Sequence, residues 1–224
     1  MSTHRRRDTN TGVRDTPMTA WFGKLPSRGD FVSGGMGAAL RHTCDEWLQR
    51  GLSACARRLG AAECERRLRG FAPWRFLTWP DGLDGAALFG VLVPSHDRVG
   101  RAFPLLLLQP FVPDSHGWLA IEAALARLAD IALDLTDPPG VDDFEAVLHA
   151  VGPLLQAPPA PLPKAPGRAR REVSPRGLLS ASPGHHSLWW PAPPPGAAPL
   201  PLADDWPPHE ELLDDILATG QAAA

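Results

Sequence analysis

AALFGVLVPSHDRVGRAFPLLLLQPF, residues 86–111, decides the fold. Two apolar runs, Ala86–Val93 and Ala102–Phe111, flank a polar, glycine-containing segment, Pro94–Arg101. Two such runs joined by a short polar stretch predict a β-hairpin with a longer loop. Neither run alternates between apolar and polar residues. A strand that is apolar throughout is covered on both faces. A sheet therefore lies at the centre of the molecule, and helices must supply both covers.

Upstream, Trp74–Trp79 alternates as a half-buried strand does. Leu40, Cys44, Trp47, Leu48, Cys55 and Leu59 fall on one helical stripe, which Gly60 ends. Residues 61–69 predict a short, arginine-rich helix. Trp21–Lys24 reads as a short strand, followed by a loop from Leu25 to Gly37 rich in Gly, Ser and Asp. Downstream, Trp118, Ile121, Leu125, Leu128, Ile131 and Leu135 form a stripe broken by the run Asp137-Pro138-Pro139-Gly140. Phe144, Val147, Leu148, Val151 and Leu155 form another. Ser187–Trp190 predicts a strand, and Pro208–Ala218 a last helix with Gly220 beyond its end. The total is a sheet of five or six strands with helices enough for both faces.

Composition sets the limits. The 224 residues carry 22 basic and 25 acidic side chains, for a formal net charge of −3. Such balance argues against holding nucleic acid or an anionic membrane by bulk charge. Three cysteines without a Cys-x-x-Cys pair exclude a disulfide scaffold. No apolar run approaches the roughly 20 residues of a membrane-spanning helix, so no direct membrane insertion is expected. Residues 1–18 read as a disordered polar tail whose arginines are followed by no apolar signal core, so the expected compartment is the cytoplasm. An α/β domain is expected over 19–156. A Pro/Ala-rich linker or insertion follows over 157–183, where the composition offers too little burial to offset ordering entropy. A strand and helix over 184–220 then return to the same domain.

Several motifs invite a chemical reading. Ser95-His96-Asp97 contains the members of a serine-hydrolase triad, but adjacent residues of an extended segment point to opposite sides. Gly34-Gly35-Met36-Gly37 precedes a helix without the spacing of a phosphate loop, and reads as a turn. Cys44 and Cys55 are expected to be buried, unreactive thiols. His185-His186 has no further ligand at metal spacing. Arg57, Arg58, Arg66, Arg67 and Arg69 sit beside Glu63 and Glu65 as a solvated helix face. Neither a metal nor a cofactor is expected.

Two polar clusters bordering apolar strands stand out more: Gly23–Phe31 and Pro94–Arg101. Each mixes turn-permitting glycines with Asp and Lys or Arg. Structural turns that set strand register and a recognition surface on a rigid scaffold both fit such loops.

The same residues carry a family resemblance. WFGKLPSRGDF (21–31), DEWLQRGL (45–52), APWRF (72–76) and GVLVPSHDRVGRAFPL (90–105) resemble the N-terminal domain of the TagF family, accessory proteins of bacterial type VI secretion. SLWW (187–190) and the leucine-rich acidic helix after it are similar to the family's C-terminal part. The resemblance implies a three-layer α/β/α sandwich, with a mixed sheet and no known catalytic activity. It implies a post-translational repressor that engages the system's forkhead-associated scaffold protein, with a cognate serine/threonine phosphatase as a further partner. A structural accessory subunit and, more remotely, a hydrolase are the alternatives. Carried over residue by residue, the family signature falls on Gly23, Lys24, Pro26, Gly29, Asp30 and Phe31, and on Asp97, Arg98, Gly100 and Arg101, as protein-binding loops. It continues through Phe103 and Pro104. Relatives often carry basic residues where this chain has Gly34-Gly35.

Overall fold

The computed structural model describes residues 19–79, 87–112, 116–137, 140–155, 187–192 and 202–218. The expected tail over 1–18, the linker over 157–183, His185-His186 and Gly220 lie outside them. In chain order the elements are β1 (Ala20–Gly23), β2 (Val32–Gly34), α1 (Ala38–Leu59), α2 (Ala61–Gly70), β3 (Trp74–Thr78), β4 (Ala87–Val93) and β5 (Leu105–Phe111). They continue with α3 (Trp118–Thr136), α4 (Phe144–Ala150), β6 (Ser187–Pro191), β7 (Leu202–Asp204) and α5 (Glu210–Ala218).

The seven strands form one sheet in the order β2-β1-β5-β4-β3-β6-β7. Every neighbouring pair is antiparallel. The predicted hairpin is its centre, with Val91 opposite Leu107. Two expectations change. The sheet has seven strands rather than five or six, because β2 and β7 are three residues each, too short for periodicity to register. It is antiparallel rather than mixed. The apolar runs of β4 and β5 reflect burial on both faces, which here comes without the parallel pairing that usually accompanies it.

Alternate residues of each strand face opposite sides. Phe89, Val91, Leu105, Leu107, Leu188 and Trp190 join a core that includes α3 and α4. Leu88, Leu92, Leu106, Leu108 and Trp189 join a second core with α1, α2 and α5. Gly90 occupies the position between Leu88 and Leu92 that a side chain would otherwise fill. A Cβ there would collide with the Phe76 ring and the Leu107 carbonyl.

The helix expected through Leu155 ends at Ala150. Gly152 follows at φ 59°, a left-handed conformation, and Pro153 comes next. Buried Gln109 on β5 then takes over the loop. Its Nε2 donates to the Thr19 hydroxyl (2.6 Å) and to the Gly152 carbonyl (2.7 Å), while its Oε1 accepts from Leu154 N (2.9 Å).

An aromatic stack fastens the C-terminal elements to the second core. Trp189 lies against Phe76 (4.5 Å between centroids) and Trp47 (5.2 Å), and Trp206 stacks on Phe76 (5.9 Å). The Trp47 indole N–H donates to the His209 carbonyl (3.2 Å). The His209 ring sits 2.6 Å from Asp204, and that hydrogen bond, helped by the charges of Asp204, Asp205 and Glu211, raises its pKa above the ordinary histidine value.

Two outcomes follow. Trp189→Ala removes a fully buried indole from the stack, and urea unfolding should show a loss of about 3–5 kcal/mol. His209 binds its proton more tightly folded than unfolded. Its contribution is therefore full below the unfolded pKa of about 6.5 and disappears as pH rises through the folded value. Urea midpoints measured between pH 5.5 and 8.5 should fall with rising pH by more in the wild type than in His209→Gln.

Candidate functional site

The two polar clusters meet at one end of the sheet. Residues 23–31 leave β1 and residues 94–101 join β4 to β5, and β1 and β5 are neighbours. Gly23 is the first requirement. At φ 146° its Cα passes so close to the Pro104 carbonyl that a side chain would collide with it. Beyond it the main chains are tied directly. Arg98 N donates to the Arg28 carbonyl (2.7 Å), and the buried Ser95 hydroxyl donates to the Lys24 carbonyl (2.6 Å).

Asp97 is the centre of the arrangement, and it is completely buried. Its Oδ1 accepts from Val99 N (3.1 Å) and Arg101 N (2.9 Å). Its Oδ2 accepts from Lys24 Nζ (3.1 Å) and Arg101 Nε (2.6 Å). Gly100, in the left-handed region at φ 84°, closes the turn by donating to the Asp97 carbonyl (2.8 Å). Burial pushes the carboxyl pKa up. The Arg101 amide, the Lys24 ammonium and the Arg101 guanidinium outweigh burial and hold it well below the usual carboxylate range. The Ser-His-Asp run is thereby dispersed. Ser95 serves the Lys24 carbonyl, Asp97 serves the two cations, and the His96 backbone bridges to Ala102.

The brace extends outward. Arg101 Nη2 donates to the Gly29 carbonyl (2.9 Å). Arg28 reaches the Asp142 carbonyl (2.8 Å) and lies 5.0 Å from the centre of the Phe144 ring. Arg69 pairs with Glu65 (2.7 Å) and also donates to the Gly100 carbonyl. Pro26 is buried, as are Gly23 and Lys24. Six of the twelve signature positions, Gly23, Lys24, Pro26, Asp97, Phe103 and Pro104, are interior.

Other positions face out. Asp30 is exposed, with Oδ1 accepting from Phe31 N (2.8 Å). Phe31 is 43% exposed, yet its ring packs on Phe103 (4.8 Å) and Phe22 (6.0 Å), with the Lys24 ammonium 5.1 Å away. Arg98 is exposed and has no ion-pair partner among the described residues. Val99, which sequence reasoning did not single out, is 70% exposed at the tip of the turn. Its signal was present: an apolar side chain between charged residues in a glycine-ended turn.

The remaining candidates resolve into structure. Cys44 and Cys55 are buried on α1, and burial, aided by Asp45, pushes the Cys44 thiol up to about 12. Burial and contact with Cys55 push Cys64 up to about 12 as well. The arginine patch is largely paired: Arg58 with Asp214, Arg66 and Arg67 with Glu63. Among the described residues no group of three or more His, Cys, Asp or Glu could hold a metal ion, and no helix is long and apolar enough to cross a membrane.

A cleft of about 540 Å³ lies beside the 94–101 loop, lined by Arg69, Ser95, His96, Leu133, Asp134 and Asp137 among others. A second, of about 380 Å³, opens between Phe31 and α1, where Phe22, Ser33, Arg41, His42, Asp45 and Gln49 line it.

Comparison with known proteins gives a family match and a structural one. The model of the family described as "TagF N-terminal domain, Type VI secretion system-associated" matches residues 20–151. The crystal structure of PA0076 from Pseudomonas aeruginosa PAO1 is similar, with a TM-score of 0.64 and 28% identity over 92% of this chain and 96% of that one. No curated protein matches the chain.

Asp97→Asn would leave the buried Lys24 ammonium without its counter-charge, and removing one partner of a buried pair is costly. Thermal unfolding should show a Tm lower by roughly 10 °C. The wild-type carboxylate contributes stability above its unfolded pKa of about 3.9, and loses it as pH falls towards its depressed folded value. The difference in Tm between wild type and variant should therefore shrink as pH is lowered below about 4.

Proposed function

The chain belongs to the TagF family of type VI secretion-associated proteins, and from that premise we propose that it is a non-enzymatic, post-translational repressor of secretion-system assembly. It acts in the cytoplasm by binding the system's forkhead-associated scaffold protein and withholding it from the assembling membrane complex. A serine/threonine phosphatase of the same pathway is a further partner. The α/β/α sandwich is the rigid body that presents the two signature loops. The helix-bearing cores on either side of the sheet support that reading of the fold.

The observation that carries the proposal is the division of labour in the signature. Buried members lock two loops together, and the exposed ones are carried on those same two loops. Fixed, exposed loop residues suit recognition, since little ordering entropy remains to be lost on binding. Two further features favour binding over catalysis. The Ser95 hydroxyl is committed to a backbone carbonyl. The His96 imidazole has no hydrogen-bonded Ser, Cys or carboxylate among the described residues, where a general base needs a partner within reach.

Deletion of the coding sequence under repressing growth conditions is the direct test. A type VI marker protein should appear in the medium while the amounts of the secretion components stay constant. Secretion that is lost, with the chain co-purifying stoichiometrically with the apparatus, would instead identify a structural subunit.

A further inference from the structure

The exposed side of the braced loops has a distinct charge and shape. Lys24 and Arg101 share one carboxylate, Asp97, which can neutralise only one of them. That carboxylate is buried, while the Arg101 side chain is 63% exposed. The Arg98 guanidinium lies beside Gly29, 3.4 Å from where a Cβ there would stand, and no carboxylate pairs with it among the described residues. Asp30 is the one acidic side chain within the two loops that faces solvent. The result is a locally cationic face on a chain whose formal net charge is −3.

Apolar contact surface adjoins it. Phe31 and Val99 are exposed on the same pair of loops, and these loops are joined through Arg98 N–Arg28 O and Arg101–Gly29. Phe31 is held by Phe22 and Phe103, so its ring is presented in one orientation. Held aromatic rings beside arginines are the side chains that concentrate binding energy in protein interfaces.

We propose that Phe31, Arg98, Val99 and the outer edge of Arg101 form a docking surface for a carboxylate-bearing segment of a partner protein. An apolar side chain of that segment lies on Phe31, and its carboxylates meet Arg98 and Arg101. The inference rests on the regulatory reading for the identity of the partner, but not for the chemistry of the surface. The buried signature residues then hold the surface in place, and the exposed ones touch the partner. Charge at such a rim governs encounter rate and salt sensitivity, and the anchored ring governs residence time.

Two probes separate this inference from the regulatory reading. One is the purified forkhead-associated scaffold protein of the same secretion system. The other is a labelled synthetic peptide alternating Asp or Glu with Leu. Both are titrated against the full chain, Arg98→Glu, Asp30→Asn and the control Leu119→Ser, at an exposed position of α3 outside the two loops. Arg98→Glu should weaken binding of at least one probe about tenfold or more with an unchanged Tm, and should flatten its dependence on salt. Asp30→Asn, which keeps the acceptor for Phe31 N and removes the opposing charge, should tighten binding by roughly two- to threefold. Leu119→Ser should match the wild type. Scaffold that binds wild type and Arg98→Glu alike, together with a peptide that also fails to discriminate, overturns the inference and leaves the regulatory reading standing. Peptide discrimination without any scaffold binding supports the docking chemistry and overturns the choice of scaffold as partner. If neither probe binds, both fail.

Discussion

A carboxylate can be buried only where its lone pairs are filled and its charge is met. Asp97 meets that condition with donors from three residues, Val99, Arg101 and Lys24. Each donor fixes something. The Val99 and Arg101 amides fix the turn that carries the carboxylate. The Arg101 guanidinium continues to the Gly29 carbonyl, and Lys24 brings in the strand end that follows β1. The geometry of two loops 73 residues apart in sequence is therefore set by one ion. The same ion sits where β1, β4 and β5 end, so the sheet and the loops constrain one another.

That constraint needs a stiff sheet, and the sequence supplies it by burying both faces. β4 and β5 pair along seven residues each, with every residue of β4 inside. A central hairpin covered on both sides has no solvent-facing edge along which to slip, because a shift of one residue would exchange the two cores. Gly90 reinforces the register. It is the residue of β4 that lets the Phe76 ring approach, and Phe76 in turn supports Trp189 and Trp206. The C-terminal strand and helix are thus joined to the centre through one aromatic column, although β4 and β3 lie between β5 and β6.

Much of this was legible before any coordinates. The hairpin over 86–111 was readable because apolar runs interrupted by a polar turn admit few structures. The stripes of α1 and α3 were long enough for their period to show. The short edge strands were not readable, since three residues carry no period, and neither was the end of α4. Its apolar stripe ran on through Leu155, but Gly152-Pro153 and the long-range hold of Gln109 decided the matter. The antiparallel character of the sheet was hidden for a related reason. Two-sided burial imposes the same continuous hydrophobicity on a strand whichever way its neighbours run.

The candidate site was legible as a place and not as a set of roles. Gly23–Phe31 and Pro94–Arg101 stand out by residue type alone, but a sequence shows Lys24, Arg98 and Arg101 as three similar cations. Their roles separate only when the chain is folded. Lys24 is interior and committed to Asp97, Arg101 is divided between Asp97 and solvent, and Arg98 is outward. The same separation applies to Asp30 and Asp97, one capping its neighbour's amide at the surface and the other holding the core of the junction. A signature shared across a family mixes two selective demands, to fold the loops and to use them. Burial distinguishes them: a change at an interior member alters the surface only by moving the loops, whereas a change at Phe31, Arg98 or Val99 alters the exposed surface itself. Holding the loops and presenting a surface are therefore separable properties at most of these positions, Arg101 being the residue that does both.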